Sequence, residues 1–164
     1  MALVTQDEII STMNVDDHLS VNNISDSTIL KAELYISNTF LGETLYDEIE
    51  ATKTSSGTFS NVNFQTLYNR YLLRLISEYV ISMSLNDIAM KIANKGISNA
   101  SDFQLVNAYK IQKTAYEDEF ERSKVMTDAY LIKNKSVFVS YLGNDYDSTT
   151  EKIEFKQGYG FLIE

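Results

Sequence analysis

Three features of the chain predict a mainly α fold, a helical bundle built on one long central helix. Proline is missing from all 164 residues, which suits long uninterrupted helices. The stretch Val62–Asn94 is apolar around most of a helical circumference, the pattern of a helix buried on several sides. It runs into Gly96, and a second helical start follows at once in Ser101-Asp102-Phe103-Gln104. Together these specify a helical hairpin.

The elements before the hairpin are short. Thr5-Gln6-Asp7-Glu8 spells a capping box, in which hydroxyl and carboxylate each satisfy the other residue's backbone N–H. It opens a first helix over 6–13. Asn14 to Asn23 is polar and reads as irregular. Ser25 or Asp26 caps the second helix, with Ile29, Ala32, Leu34, Ile36 and Phe40 along its inward side. Gly42 interrupts it, and Glu43 to Thr52 continues as a short helix with Leu45, Tyr46 and Ile49 inward. Thr54-Ser55-Ser56-Gly57-Thr58 is a loop by composition.

The third helix, 62–94, carries a narrow polar stripe of Asn63, Thr66, Arg70, Arg74 and Ser77. Leu67, Leu72, Leu75, Ile76 and Val80 are among its many apolar residues, so it is expected to be the central rod. Gly96 falls where a helix exits through a left-handed residue, which glycine enters without steric cost. Ile97 and Ile92 occupy the apolar positions of a Schellman cap. Ser101 is expected to be the N-cap of the fourth helix, with Ala100 and Leu105 as its staple. That helix is expected to run to Asn134 with Leu105, Tyr109, Ala115, Tyr116 and Phe120 inward; a break near Ser123 stays open.

The C-terminus changes period. Gly143 to Thr150 is a polar linker. From Ile153 the apolar residues alternate: Ile153, Phe155, Tyr159, Phe161 and Ile163. A hairpin turning at Gln157-Gly158 would place Tyr159 and Phe161 on the face of Lys156 and Glu154, so a single extended strand-like arm is preferred. One strand is not stable alone. These five residues are therefore the candidate interface with another subunit, the alternative being a tail laid on its own helices. The chain divides into an acidic N-terminal arm with a short helix (1–24), a helical domain (25–142) and a C-terminal linker and arm (143–164).

Charge and composition narrow the function. The net charge is −9, and most of the excess negative charge sits at the ends: residues 1–20 hold Asp7, Glu8, Asp16 and Asp17 with no Lys or Arg. This argues against a nucleic-acid grip, which depends on cationic side chains. No apolar run reaches the roughly 18 residues of a membrane span, and Met1–Asp7 does not read as a secretory signal. Zero cysteines remove disulfides, thiolate chemistry and cysteine-based zinc sites, and fit a reducing cytoplasm.

His18, the one histidine, lies beside Asp16 and Asp17, short of the four converging ligands of a structural metal site. The densest carboxylate cluster, Glu117, Asp118, Glu119 and Glu121, fans out around a helix. The serines sit in caps and loops without a base, and Gly158-Tyr159-Gly160-Phe161 lacks the spacing of a phosphate loop. No catalytic, cofactor-binding or metal-binding residue is assigned, and an enzyme is not expected. The tyrosines, Tyr46, Tyr68, Tyr79 and Tyr141 among them, read as core residues whose hydroxyls reach the surface, with some available as interface anchors.

The order of parts resembles a known family. The segment Phe40-Leu41-Gly42-Glu43-Thr44-Leu45-Tyr46-Asp47-Glu48 comes first, then a long apolar helix ending Ile92-Ala93-Asn94-Lys95-Gly96-Ile97, then a Ser-Asp start and a tyrosine-rich helix. This resembles the head–tail connector (adaptor) proteins of tailed bacteriophages, most closely those of crAss-like phages, over residues 25–142. The resemblance implies a virion structural protein that enters the neck of the particle from the host cytoplasm. It implies a homo-oligomeric ring, commonly a dodecamer, below the portal protein. The ring would extend the DNA channel without specific DNA binding and dock other neck or tail proteins. No catalytic residues are carried over. A rival from another class is a non-enzymatic cytoplasmic helical interaction module or regulator, whose signature is an exposed apolar groove.

Overall fold

The computed structural model describes residues 2–13, 24–54, 57–96, 100–141 and 143. The protein is mainly α. Helix α1 spans Gln6–Met13, α2 Asp26–Ile36, α3 Glu43–Thr52, α4 Val62–Leu67, α5 Leu73–Asn94 and α6 Ala100–Lys133. Short π-helical turns at Ser37–Leu41 and Tyr68–Leu72 extend α2 and join α4 to α5. Val62–Asn94 is thus one continuous rod with a wider turn in it. The π turn resets the phase of the buried stripe. Phe64 and Leu67 before it, Tyr68 and Leu72 within it, and Leu75 and Ile76 after it all stay in the core.

Helix α5 is the axis. Leu75, Ile76, Val80, Ile81 and Leu85 are fully buried. Helices α1, α2 and α6 all pack on it, and α6 makes the most extensive contact. Tyr71 stacks on Tyr130 with ring centroids 4.5 Å apart, and Tyr79 lies 4.9 Å from Phe120. Residues later on α5 meet residues earlier on α6, so the two run antiparallel. On α6 the inward residues Val106, Tyr109, Tyr116, Phe120, Ser123 and Thr127 fall on a three-four spacing, the seam of close antiparallel helices.

Local signals in the sequence account for most helix ends. Thr5 and Glu8 form the reciprocal capping box, with Thr5 N–H donating to Glu8 at 2.8 Å and Glu8 N–H to the Thr5 hydroxyl at 3.3 Å. Ser25 caps α2 by accepting the Thr28 N–H at 3.2 Å. Gly42 has φ +82° and ψ +139°, a region open essentially to glycine alone. Gly96 has φ +88° and donates its N–H to Ala93 at 3.1 Å, one of the two bonds of a Schellman exit. Its apolar contact from Ile97 to Ile92 lies outside the described residues.

Several expectations need correction. Ser101 is inside the first turn of α6, which begins at Ala100, so it is not the N-cap. Serine is accommodated there, and Asp102 in the same turn complements the positive helix end. Leu34, expected inward, is exposed, because it lies roughly 140° around the helix from Ile29. Ala115 is exposed for the same reason, and Leu105 is exposed with its neighbour Val106 in the inward place. Ser77 is buried and donates to Leu73 O at 2.6 Å, so the polar stripe of the rod is narrower than its sequence suggests. No break occurs at Ser123; α6 runs through it.

The N-terminal segment is also corrected. The sequence sets residues 1–24 apart as an acidic arm, yet Leu3, Val4 and Ile9 are fully buried in the same core as α2, α3 and α5. Asp7 is exposed and Glu8 finds partners in Thr5, Tyr68 and Lys53.

Candidate functional site

The C-terminal arm with Ile153, Phe155, Tyr159, Phe161 and Ile163, like His18, lies outside the described residues. Of the other singled-out positions, Gly96 and Ile92 stand at the end of α5, and Ser101 opens α6 across the joint. The structure does not bring them into one chemical site. Among the described residues no group of three or more His, Asp or Glu side chains could hold a metal ion. No helix among them is long and apolar enough to cross a membrane.

Two buried polar clusters were not legible as such. In the first, Glu33 on α2 sits in the core and accepts the Val4 N–H at 2.7 Å on one oxygen and the Tyr46 hydroxyl at 2.9 Å on the other. Burial raises its pKa above the ordinary glutamate value, against the lowering effect of those hydrogen bonds. Burial, then the Glu33 charge, raises Tyr46 as well. Nearby, the Tyr68 hydroxyl donates to Glu8 at 2.9 Å, and Lys53 lies 3.6 Å from the same carboxylate. Lys53 also donates to the Leu3 carbonyl and stands 4.7 Å over the Tyr68 ring. Burial opposes ionisation of Glu8, but the Thr5, Tyr68 and Lys53 interactions outweigh it and its pKa is lowered.

In the second cluster, Glu78 on α5 is fully buried and takes a 2.7 Å hydrogen bond from exposed Arg74, which also reaches Glu119 on α6 at 3.3 Å. The other oxygen of Glu78 has no hydrogen-bond partner among the described residues. Both glutamates occupy core positions of a helical stripe, Ile29-Glu33-Ile36-Phe40 and Leu75-Glu78-Ser82-Leu85. That register was the signal available. The tyrosine expectation changes accordingly: Tyr46, Tyr68 and Tyr141 are buried, and their hydroxyls end on Glu33, Glu8 and Asp128.

These clusters tie segments together. The carboxylates expected to fan out on α6 do so, and Lys113, Arg122 and Lys124 pair with Glu117, Glu119 and Glu121. A shallow cleft of about 320 Å³ lies at the Gly42 elbow, lined by Asn38, Thr39, Glu43, Thr44, Ser140 and Gly143. Ser140 holds this elbow by donating to Glu48 of α3.

The outer surface is more informative. Leu30 and Leu34 project from α2, and Phe103, Ile111, Val125, Met126 and Ile132 from α6. Large apolar side chains in water singly are ordinary; aligned along a helix they form an interaction surface. Val125, Ala129 and Ile132 are one turn apart on one face of α6.

A family model of unknown function, DUF6712, matches residues 38–151. The chain belongs to the DUF6712 family. The match spans the elbow at Gly42, the whole α4–α5 rod, the joint at Gly96 and α6, and it begins after α1 and α2. No curated protein and no solved structure matches the chain.

Proposed function

We propose that this chain is a structural subunit of a head–tail connector ring in a tailed bacteriophage particle, seated below the portal protein. The observation that carries this reading is where the family-like segments fall. Phe40–Glu48 forms the Gly42 elbow, and Ile92–Gly96 forms the exit of the central rod. Both are bends that fix the shape of a rigid helical body, and the body between them rests on one core. A ring subunit needs rigidity and outward-facing contact surfaces rather than a chamber. The apolar faces of α2 and α6 are such surfaces.

In this reading copies of the chain surround the DNA channel, commonly twelve of them, and other neck or tail proteins dock beneath. An excess of acidic residues suits a channel through which DNA slides, since it offers no gain from counterion release. The C-terminal arm pairs with a neighbouring subunit or ring protein through Phe155, Tyr159 and Phe161. The test is mass measurement of the purified chain with and without portal protein. A multi-subunit species in the presence of portal supports the connector. A chain that ignores portal and instead captures one soluble partner supports the cytoplasmic interaction module.

A further inference from the structure

Helices α2 and α6 are each seated on α5, so their solvent faces are two separate surfaces of one body. Each carries an apolar stripe without a partner among the described residues. On α2, Leu30 and Leu34 are one turn apart and 53% and 62% exposed. On α6, Val125 and Ile132 are two turns apart and 62% and 50% exposed, with Met126 beside them. The stripes differ in charge. Lys31 stands between the two leucines on α2. Asp118 and Glu121 lead into the α6 stripe on the same face, seven and four residues before Val125. The nearby cation Arg122 is already engaged by Glu119 at 2.6 Å, and Lys124 lies 3.7 Å from Glu121, so Asp118 is the carboxylate of this face with no cation drawn to it among the described residues.

From this pairing we infer that the α2 stripe of one copy of the chain docks on the α6 stripe of a second copy, with Lys31 set against Asp118. Two unlike patches on one chain make a heterologous contact, which repeats from copy to copy and closes into a ring when the rotation allows. A single self-matching patch would stop at a two-fold dimer. Burying the leucines against Val125 and Ile132 supplies the apolar centre, and the opposite charges at its edge select register and orientation. The inference takes the closed ring from the connector reading and assigns the faces that build it.

The chain has no cysteine, so introduced thiols are unique. Leu34→Cys and Val125→Cys are made singly and together in the full chain, along with Leu34→Cys combined with Ile132→Cys to cover a one-step shift in register. All three sites are exposed, and an unchanged helical circular dichroism spectrum and melting temperature confirm that each variant is folded. A short bis-maleimide is then applied at concentrations up to about 1 mM, beyond which an association is too weak to count as specific. At least one double variant should give a ladder of dimer, trimer and larger species on a denaturing gel. The mixture of the Leu34→Cys and Val125→Cys singles should give dimers and nothing larger, and each single alone should stay monomeric. No ladder from either double variant, or equal cross-linking by one single variant alone, overturns the inference. A ladder from a chain that is missing from virions would leave the contact standing and remove the connector reading. Virions that contain the chain while neither double variant cross-links would do the reverse.

Discussion

The backbone N–H of Val4 donates to Glu33 Oε1 at 2.7 Å, joining the N-terminal segment to α2 across 29 residues of chain. The second oxygen of Glu33 accepts from Tyr46 on α3. One buried carboxylate therefore holds three segments of the bundle. Without it a buried N–H and a buried hydroxyl would each lose an acceptor, at about 1–3 kcal/mol per group.

This cluster predicts opposing pH effects at two glutamates. The folded-state pKa of Glu33 is raised, first by burial. Its contribution to stability is greatest below the ordinary glutamate pKa and is lost as pH rises through the raised value. The pKa of Glu8 is lowered, so its contribution is present above the ordinary value and is lost as pH falls through the lowered one. Urea midpoints are to be measured from neutral to acid pH for the natural chain, Glu33→Gln and Glu8→Gln. Acidification should favour the natural chain over Glu33→Gln and disfavour it relative to Glu8→Gln. Parallel pH dependences in all three would contradict these assignments.

At the joint, Gly96→Val should destabilise the protein by about 1–2 kcal/mol through the left-handed backbone alone. A Cβ at Gly96 meets nothing within 4 Å, so crowding adds no cost. Gly96→Asn should lose less, because asparagine tolerates that region better. Equal losses for Val and Asn would show that backbone conformation is not what glycine supplies there.

The helical order and most helix ends were legible because they rest on local chemistry: the Thr5–Glu8 box, the Ser25 cap, and the glycines at 42 and 96. Inward faces were legible where the spacing is regular, as for Leu45, Tyr46 and Ile49. They failed where adjacent apolar residues compete for one place, as Leu105 does with Val106, since a helix turns about 100° per residue. The π turn at Tyr68–Leu72 was hidden because an apolar run reads alike with or without one extra residue in a turn. Glu33 and Glu78 were missed because charge suggests a surface position, whereas their partners come from distant segments or from the long reach of Arg74. The candidate contact faces were partly legible: Leu34 stood out as apolar but was placed on the wrong side.

The core assignment predicts a sharp contrast between two leucines. Leu75 is fully buried on α5, and Leu75→Ala should cost about 2–5 kcal/mol. Leu34→Ala in the dilute monomer should change stability by no more than about 0.5 kcal/mol, as for an ordinary surface site. Denaturant unfolding checks both, and a loss below about 0.5 kcal/mol at Leu75 would show that α5 is not the axis of the bundle.

Deleting residues 150–164 should leave the helical spectrum and unfolding midpoint of the body nearly unchanged, because residues from Leu3 to Tyr141 already form a contiguous core. The same deletion should reduce incorporation into particles, as measured by the amount of chain per portal in purified virions. Normal incorporation would assign the arm no role in assembly.

The most direct test of the proposed connector role is electron cryomicroscopy of intact particles purified from the source of this chain, with mass spectrometry of the same preparation. The account predicts a closed ring of density below the portal into which the body from Leu3 to Tyr141 fits, with peptides of the chain in the purified virion. A neck fully built from other proteins, with this chain found in infected cells but missing from virions, would contradict it.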